Sequence, residues 1–84
     1  MGELQKRPNI GKEIERQLNS IGIVTYADLV RCGSRAAWQK IKVIDASACI
    51  NRLMALEGAI QGIRWHDLSD SDKKNLKTFY ENNK

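Results

Sequence analysis

The chain has 84 residues, 42% of them hydrophobic and 29% charged, with a formal net charge of +4. That length makes one domain, which buries roughly 60–65% of its unfolded surface around a small core. No apolar run approaches the ~18 residues of a membrane span, and the first residues lack the apolar segment of a secretory signal, so the expected compartment is the cytosol.

Helix start and stop signals mark almost every segment. Pro8-Asn9-Ile10-Gly11 predicts a tight turn feeding a first helix that begins at Gly11 or Lys12. Ile14, Leu18 and Ile21 recur at i, i+4 and i+7 and form its buried stripe, which leaves Glu13, Glu15, Arg16, Gln17 and Asn19 for the other faces. Gly22 reads as a left-handed C-terminal cap, with Ile23 packing back on the last turn. Thr25 and Asp28 have capping-box spacing for a short second helix that Gly33 ends.

Ser34 is expected to cap a third helix from Arg35 to about Val43, with Ala37, Trp38 and Ile41 inward and Arg35, Gln39, Lys40 and Lys42 outward. Asp45 or Ser47 should start the fourth helix, which ends near Gln61-Gly62. Its repeat of Cys49, Leu53, Leu56 and Ile60, widened by Ile50 and Met54, makes it the central one. Gly58 inside a helix costs ~1 kcal/mol relative to Ala, which argues for a close-packing reason. Ile63–Leu68 reads as a loop containing Trp65, and Ser69 with Asp72 caps a last helix from Asp70 to about Asn82. No segment alternates as a strand does. The fold class is therefore all-α: a compact five-helix domain of the helix-hairpin-helix, SAM-like kind, with near-perpendicular connections.

The charge is unevenly placed. Residues 1–44 contain eight Lys and Arg against four acids, while residues 45–84 contain six of each. The whole net charge thus lies in the half that holds the Pro8–Gly11 turn, and a basic half attracts polyanions. A helix start carries unpaired N–H donors and partial positive charge, so it can hold a phosphate. Gly11 lacks the Cβ that would block a phosphate oxygen. The candidate nucleic-acid or anion-binding set is Arg7, Asn9, Ile10, Gly11, Lys12 and Arg16. The alternative is a simple helix-initiating turn with Asn9 as the cap.

Chemistry is poorly represented. His66 is alone, and Asp70 and Asp72 sit where a helix start favours acids. No phosphate loop, dinucleotide fingerprint or His-Glu-x-x-His occurs. Cys32 and Cys49 have no metal-ligand spacing with His66 and read as small core hydrophobes. No catalytic residue, metal or cofactor is expected, and the chain reads as non-enzymatic. Trp38 falls on a buried stripe. Trp65 either plugs the core or anchors an interface, and is the candidate interaction residue.

Pro8-Asn9-Ile10-Gly11, Ile21-Gly22-Ile23-x-Thr25, Asp28-Leu29, Cys49-x-x-x-Leu53-x-x-Leu56-Glu57-Gly58-Ala59-x-x-Gly62 and Trp65-x-x-Leu68 together resemble the C-terminal domain of TfoX/Sxy proteins over nearly the whole chain. The first half also looks like a helix-hairpin-helix unit and like the C-terminal domain of the RNA polymerase alpha subunit. The TfoX resemblance implies a small helical domain of regulators of DNA-uptake competence; the extra N-terminal domain of longer members is expected to be missing. The hairpin resemblance implies sequence-independent contact of the Asn9, Ile10 and Gly11 amides with DNA phosphates, Asn9 standing where such hairpins usually have Gly. The expected partner is DNA or a protein of the transcription or DNA-processing machinery, with no membrane. The alternative is a protein–protein interaction or self-association module, a homodimer included.

Overall fold

In a computed structural model, residues 3–84 are described. Five α-helices account for most of them: α1 Lys12–Ser20, α2 Tyr26–Cys32, α3 Ser34–Ile44, α4 Ile50–Gln61 and α5 Asp70–Asn83. Two short 3-10 turns, Glu3–Lys6 and Trp65–Asp67, precede α1 and α5. No strand occurs among the described residues. The all-α, five-helix expectation agrees with this architecture.

α4 is central because it is the helix with the widest buried face. Leu53, Ala55, Leu56, Gly58 and Ala59 are all buried, and α4 packs on α2, α3, α5 and the Trp65–Asp67 turn. Leu18, Leu29, Trp38, Ile41, Leu68 and Leu76 bring the other elements onto it. Trp38 lies fully buried, donates its indole N–H to the Cys49 carbonyl (3.1 Å), and meets Phe79 and Tyr80 edge-on. Such edge-to-face pairs add about 0.5–1.5 kcal/mol each beyond the area they bury.

The local stop signals act as expected. α1 ends with the Ile23 N–H on the Leu18 carbonyl and the Gly22 N–H on that of Asn19, Gly22 being at φ 89°. Thr25 and Asp28 form a complete capping box on α2. Ser69 accepts from the Asp72 N–H at the start of α5 (3.0 Å).

Four expectations need correction. Ser34 is not a cap. Gly33, at φ 84°, is at once the C-cap of α2 and the N-cap of α3, and Ser34 is drawn inward to donate to Glu57 (2.6 Å). α4 starts later than Asp45 or Ser47. Asp45 instead caps the end of α3, where its carboxylate folds back onto the Ser47 N–H (3.0 Å). Cys49, as the N-cap of α4, is therefore exposed rather than a core residue.

Glu15 and Gln17, placed outward by periodicity, are buried. The Glu3–Lys6 turn lies across that face with Leu4 in the core, and Glu15 accepts from the Leu4 and Gln5 amides (3.1 and 3.3 Å) and from the Gln5 side chain (2.7 Å). Gln17 joins Asp45 and Arg52 in one network: its amide donates to Asp45 (2.7 Å) and its carbonyl accepts from Arg52 (3.1 Å). Buried polar groups need such partners, since a buried orphan costs about 1–3 kcal/mol.

Candidate nucleic-acid interface

The Pro8–Gly11 turn is built around a left-handed Asn9 at φ 69°. A residue with a Cβ pays about 1–2 kcal/mol for that region, and Asn is among the few that visit it. Here the side chain has a further task. Its Nδ2 donates to the carbonyls of Ile63 (2.9 Å) and Ala55 (3.3 Å), and its Oδ1 accepts from the Trp65 backbone N–H (3.1 Å). Asn9 thus fastens the turn to the C-terminal end of α4. It does not cap α1, whose N-cap is Gly11 with no side-chain cap bond.

The other candidates divide. Ile10 is a core residue, 5% exposed. Arg7 turns inward: its guanidinium stacks on the Tyr26 ring (3.9 Å) and bonds the Ala59 carbonyl (3.4 Å), and its Nε is buried without a partner. Tyr26 in turn donates its hydroxyl to the Ile60 carbonyl. Arg16 is exposed and paired with Glu13 one turn back. Lys12 is exposed and joins none of the ion pairs among the described residues.

Gly11 is the informative position. Its φ is −93°, and a Cβ built there would meet nothing within 4 Å. Neither backbone conformation nor a close neighbour requires glycine. The surface at the α1 start is therefore Gly11 and Lys12, with Arg16 one turn on and Arg7 withdrawn behind it.

Of the two roles the sequence offers for Trp65, the structure shows the packing one. The side chain is half-buried against the core and stacked on His66, the ring centroids 3.8 Å apart. Sequence reasoning missed Tyr26, Glu15 and Gln17 as organisers of this end of the molecule. Tyr26 falls between the two residues of the Thr25–Asp28 capping box, and its reach to α4 has no sequence signal. Among the described residues no group of three or more His, Cys, Asp or Glu is placed to hold a metal ion. No described helix is long and apolar enough to cross a membrane.

These features define a small all-helical domain with a helix start that faces solvent in its basic half. The chain belongs to the family of the TfoX C-terminal domain, whose model matches residues 1–80. It is similar to an uncharacterised protein from Listeria monocytogenes in a triclinic crystal form, at 46% identity and a TM-score of 0.92, with 94% of this chain and 90% of that one covered. It is equally similar to a protein of unknown function from the same organism in a tetragonal form, again at 46% identity, with a TM-score of 0.91 and 94% and 96% coverage. No curated protein matches the chain.

Proposed function

We propose that the domain is a non-enzymatic binding module that associates with nucleic acid, in keeping with a regulatory family linked to DNA uptake. The observation that carries the reading is the start of α1. An open, side-chain-free Gly11 exposes helix amides beside an unpaired Lys12, and such amides favour a phosphate oxygen. Neither Asn9 nor Ile10 has a polar side-chain group left for this contact, so Gly11 and Lys12 carry it with Arg16. The non-enzymatic reading is supported by the use of the polar side chains: Asp45, Glu57, Asp28 and Glu15 each hold a structural bond.

Titration of duplex and single-stranded DNA at two salt concentrations tests this. Binding at low salt should weaken steeply as salt rises, because released counterions drive phosphate contact. Lys12→Ala should weaken binding and lower the salt slope by about one unit. Gly11→Ser is the sharper variant. A serine N-cap keeps or slightly raises stability, yet it closes the amides with its own hydroxyl and should abolish the contact. Absence of binding to either DNA at low salt overturns the reading.

A further inference from the structure

α3 stands apart from the other helices in its charge. It carries Arg35, Lys40 and Lys42 and no acid, alone among the five described helices. None of the three forms an ion pair among the described residues. At its C-terminal end two β-branched side chains face water, Val43 at 86% and Ile44 at 53% exposure. A helix that ends in exposed apolar residues beside the Lys42 cation, with Arg35 two turns back over the Phe79 ring (5.9 Å), is not explained by its own core face, which Ala37, Trp38 and Ile41 already supply.

A groove of about 250 Å³ lies next to this patch, between α3 and the end of α5, lined by Trp38, Gln39, Lys42, Val43 and Asn83. Trp38 is its floor. Gln39 and Asn83 clasp each other across it (3.1 Å). The Lys42 ammonium is held over the Trp38 ring (5.6 Å) and against the Ala46 carbonyl (3.4 Å), so a cation is already positioned at the rim of an apolar slot.

We propose that this face docks an acidic, amphipathic peptide segment of a partner protein, with an apolar side chain in the groove against Val43 and carboxylates on Lys42 and Arg35. Charge complementarity selects that occupant. A second copy of the chain, meeting this face about a two-fold axis, would set the same cations against themselves. A phosphate backbone would satisfy the cations but has nothing to cover Val43 and Ile44. An acidic segment with apolar anchors at helical spacing answers both features. The site is separate from Gly11 and Lys12, and each is tested independently of the other.

The experiment uses a synthetic amphipathic peptide of Glu and Leu at helical spacing, with poly-glutamate and a Lys/Leu peptide of the same pattern as controls. Two-dimensional amide spectra of the labelled protein are followed. The Glu/Leu peptide should shift the Trp38 indole N–H and the Val43 amide, and bind at least tenfold tighter than poly-glutamate. Val43→Glu and Arg35→Glu, both at exposed positions, should each weaken it at least fivefold; Val43→Glu should leave the thermal midpoint unchanged, while Arg35→Glu also gives up the contact with the Phe79 ring (5.9 Å). Equal binding of poly-glutamate, or indifference to both variants, overturns the proposal. So does a concentration-dependent dimer that Val43→Glu dissolves, or a duplex DNA that shifts these signals when the Glu/Leu peptide does not.

Discussion

The Asn9 side-chain amide lies 2.5 Å from the place where a Cβ on Gly58 would stand. Two residues 49 positions apart are thereby made interdependent: Asn9 can reach the Ile63 and Ala55 carbonyls only because α4 has no side chain at Gly58. The Ile63 carbonyl and the Trp65 Cα press on the same spot, at 2.8 and 3.1 Å.

Gly58→Ala is accordingly expected to destabilise the domain, against the sign of helix propensity. Propensity alone would favour Ala by ~1 kcal/mol. Overpacking costs about 1–3 kcal/mol, and two of the three neighbours here are backbone, which cannot rotate away. The net expectation is a loss of about 1–2 kcal/mol, read by urea denaturation. A gain in stability would mean that the turn and α4 are not in this contact.

Asn9→Ala should cost about 2–4 kcal/mol. It forfeits three hydrogen bonds, and it forces a Cβ residue without compensation into the left-handed region. Asn9→Gly removes the same bonds but not the conformational ease, so it should recover about 1 kcal/mol of that loss. In the Asn9→Ala background Gly58→Ala should cost less than in the native chain, with a coupling of at least about 0.5 kcal/mol. Additive losses would separate the two residues.

How much of this was legible in the sequence follows from distance along the chain. The Thr25–Asp28 box, the Gly22 end of α1 and the Ser69 cap are set by residues within five positions, and each was readable. Gly58 announced a close approach, but its neighbour could not be named, because Asn9 lies across the fold. Glu15 and Gln17 were misplaced for a physical reason. Periodicity assigns polar residues to solvent, and it cannot know that a preceding turn will offer its amides to Glu15 or that Asp45 and Arg52 will reach Gln17. Cys49 was misplaced because the apolar repeat was continued back onto the N-cap itself, which lies outside the helix's buried face. At the candidate interface the turn and its charge were legible, while the division of labour was not. Arg7 and Asn9 serve the fold, and Gly11 and Lys12 face the solvent.

That division predicts opposite phenotypes for two neighbouring cations. Arg7→Ala should lower stability by about 1–2 kcal/mol, since it removes the stacking on Tyr26 and the bond to the Ala59 carbonyl. Lys12→Ala is a surface change and should stay within about 0.5 kcal/mol of the native protein. Thermal unfolding of both variants measures the difference, and comparable losses would contradict the geometry.

The two thiols should differ in accessibility. Cys49 is exposed at the start of α4, whereas Cys32 is half-buried and packed against the core. Titration of the native protein with an aromatic disulfide reagent should give one fast and one slow thiol, with the fast phase absent in Cys49→Ser. Two equally slow thiols would restore the reading of Cys49 as a core residue.

Asp45 makes part of the stability dependent on pH. Hydrogen bonds from the Ser47 hydroxyl, then from Arg52 and Gln17, hold its carboxyl well below the usual carboxylate range. A carboxylate whose folded pKa is depressed binds protons more readily in the unfolded chain. Its contribution is therefore complete above the unfolded value of about 3.9 and is lost as pH falls from there toward the lower folded value. Asp45→Asn breaks the ion pair with Arg52 and loosens the joint between α3, α1 and α4 that Gln17 shares. The thermal midpoint of the variant should lie below that of the native protein between pH 5 and pH 7 by a constant margin. The margin should narrow as pH drops below about 4, where the native side chain is itself being neutralised in the unfolded state. A margin that stays unchanged down to pH 2 would show that the network is held by packing and neutral hydrogen bonds, with the charge of Asp45 contributing nothing.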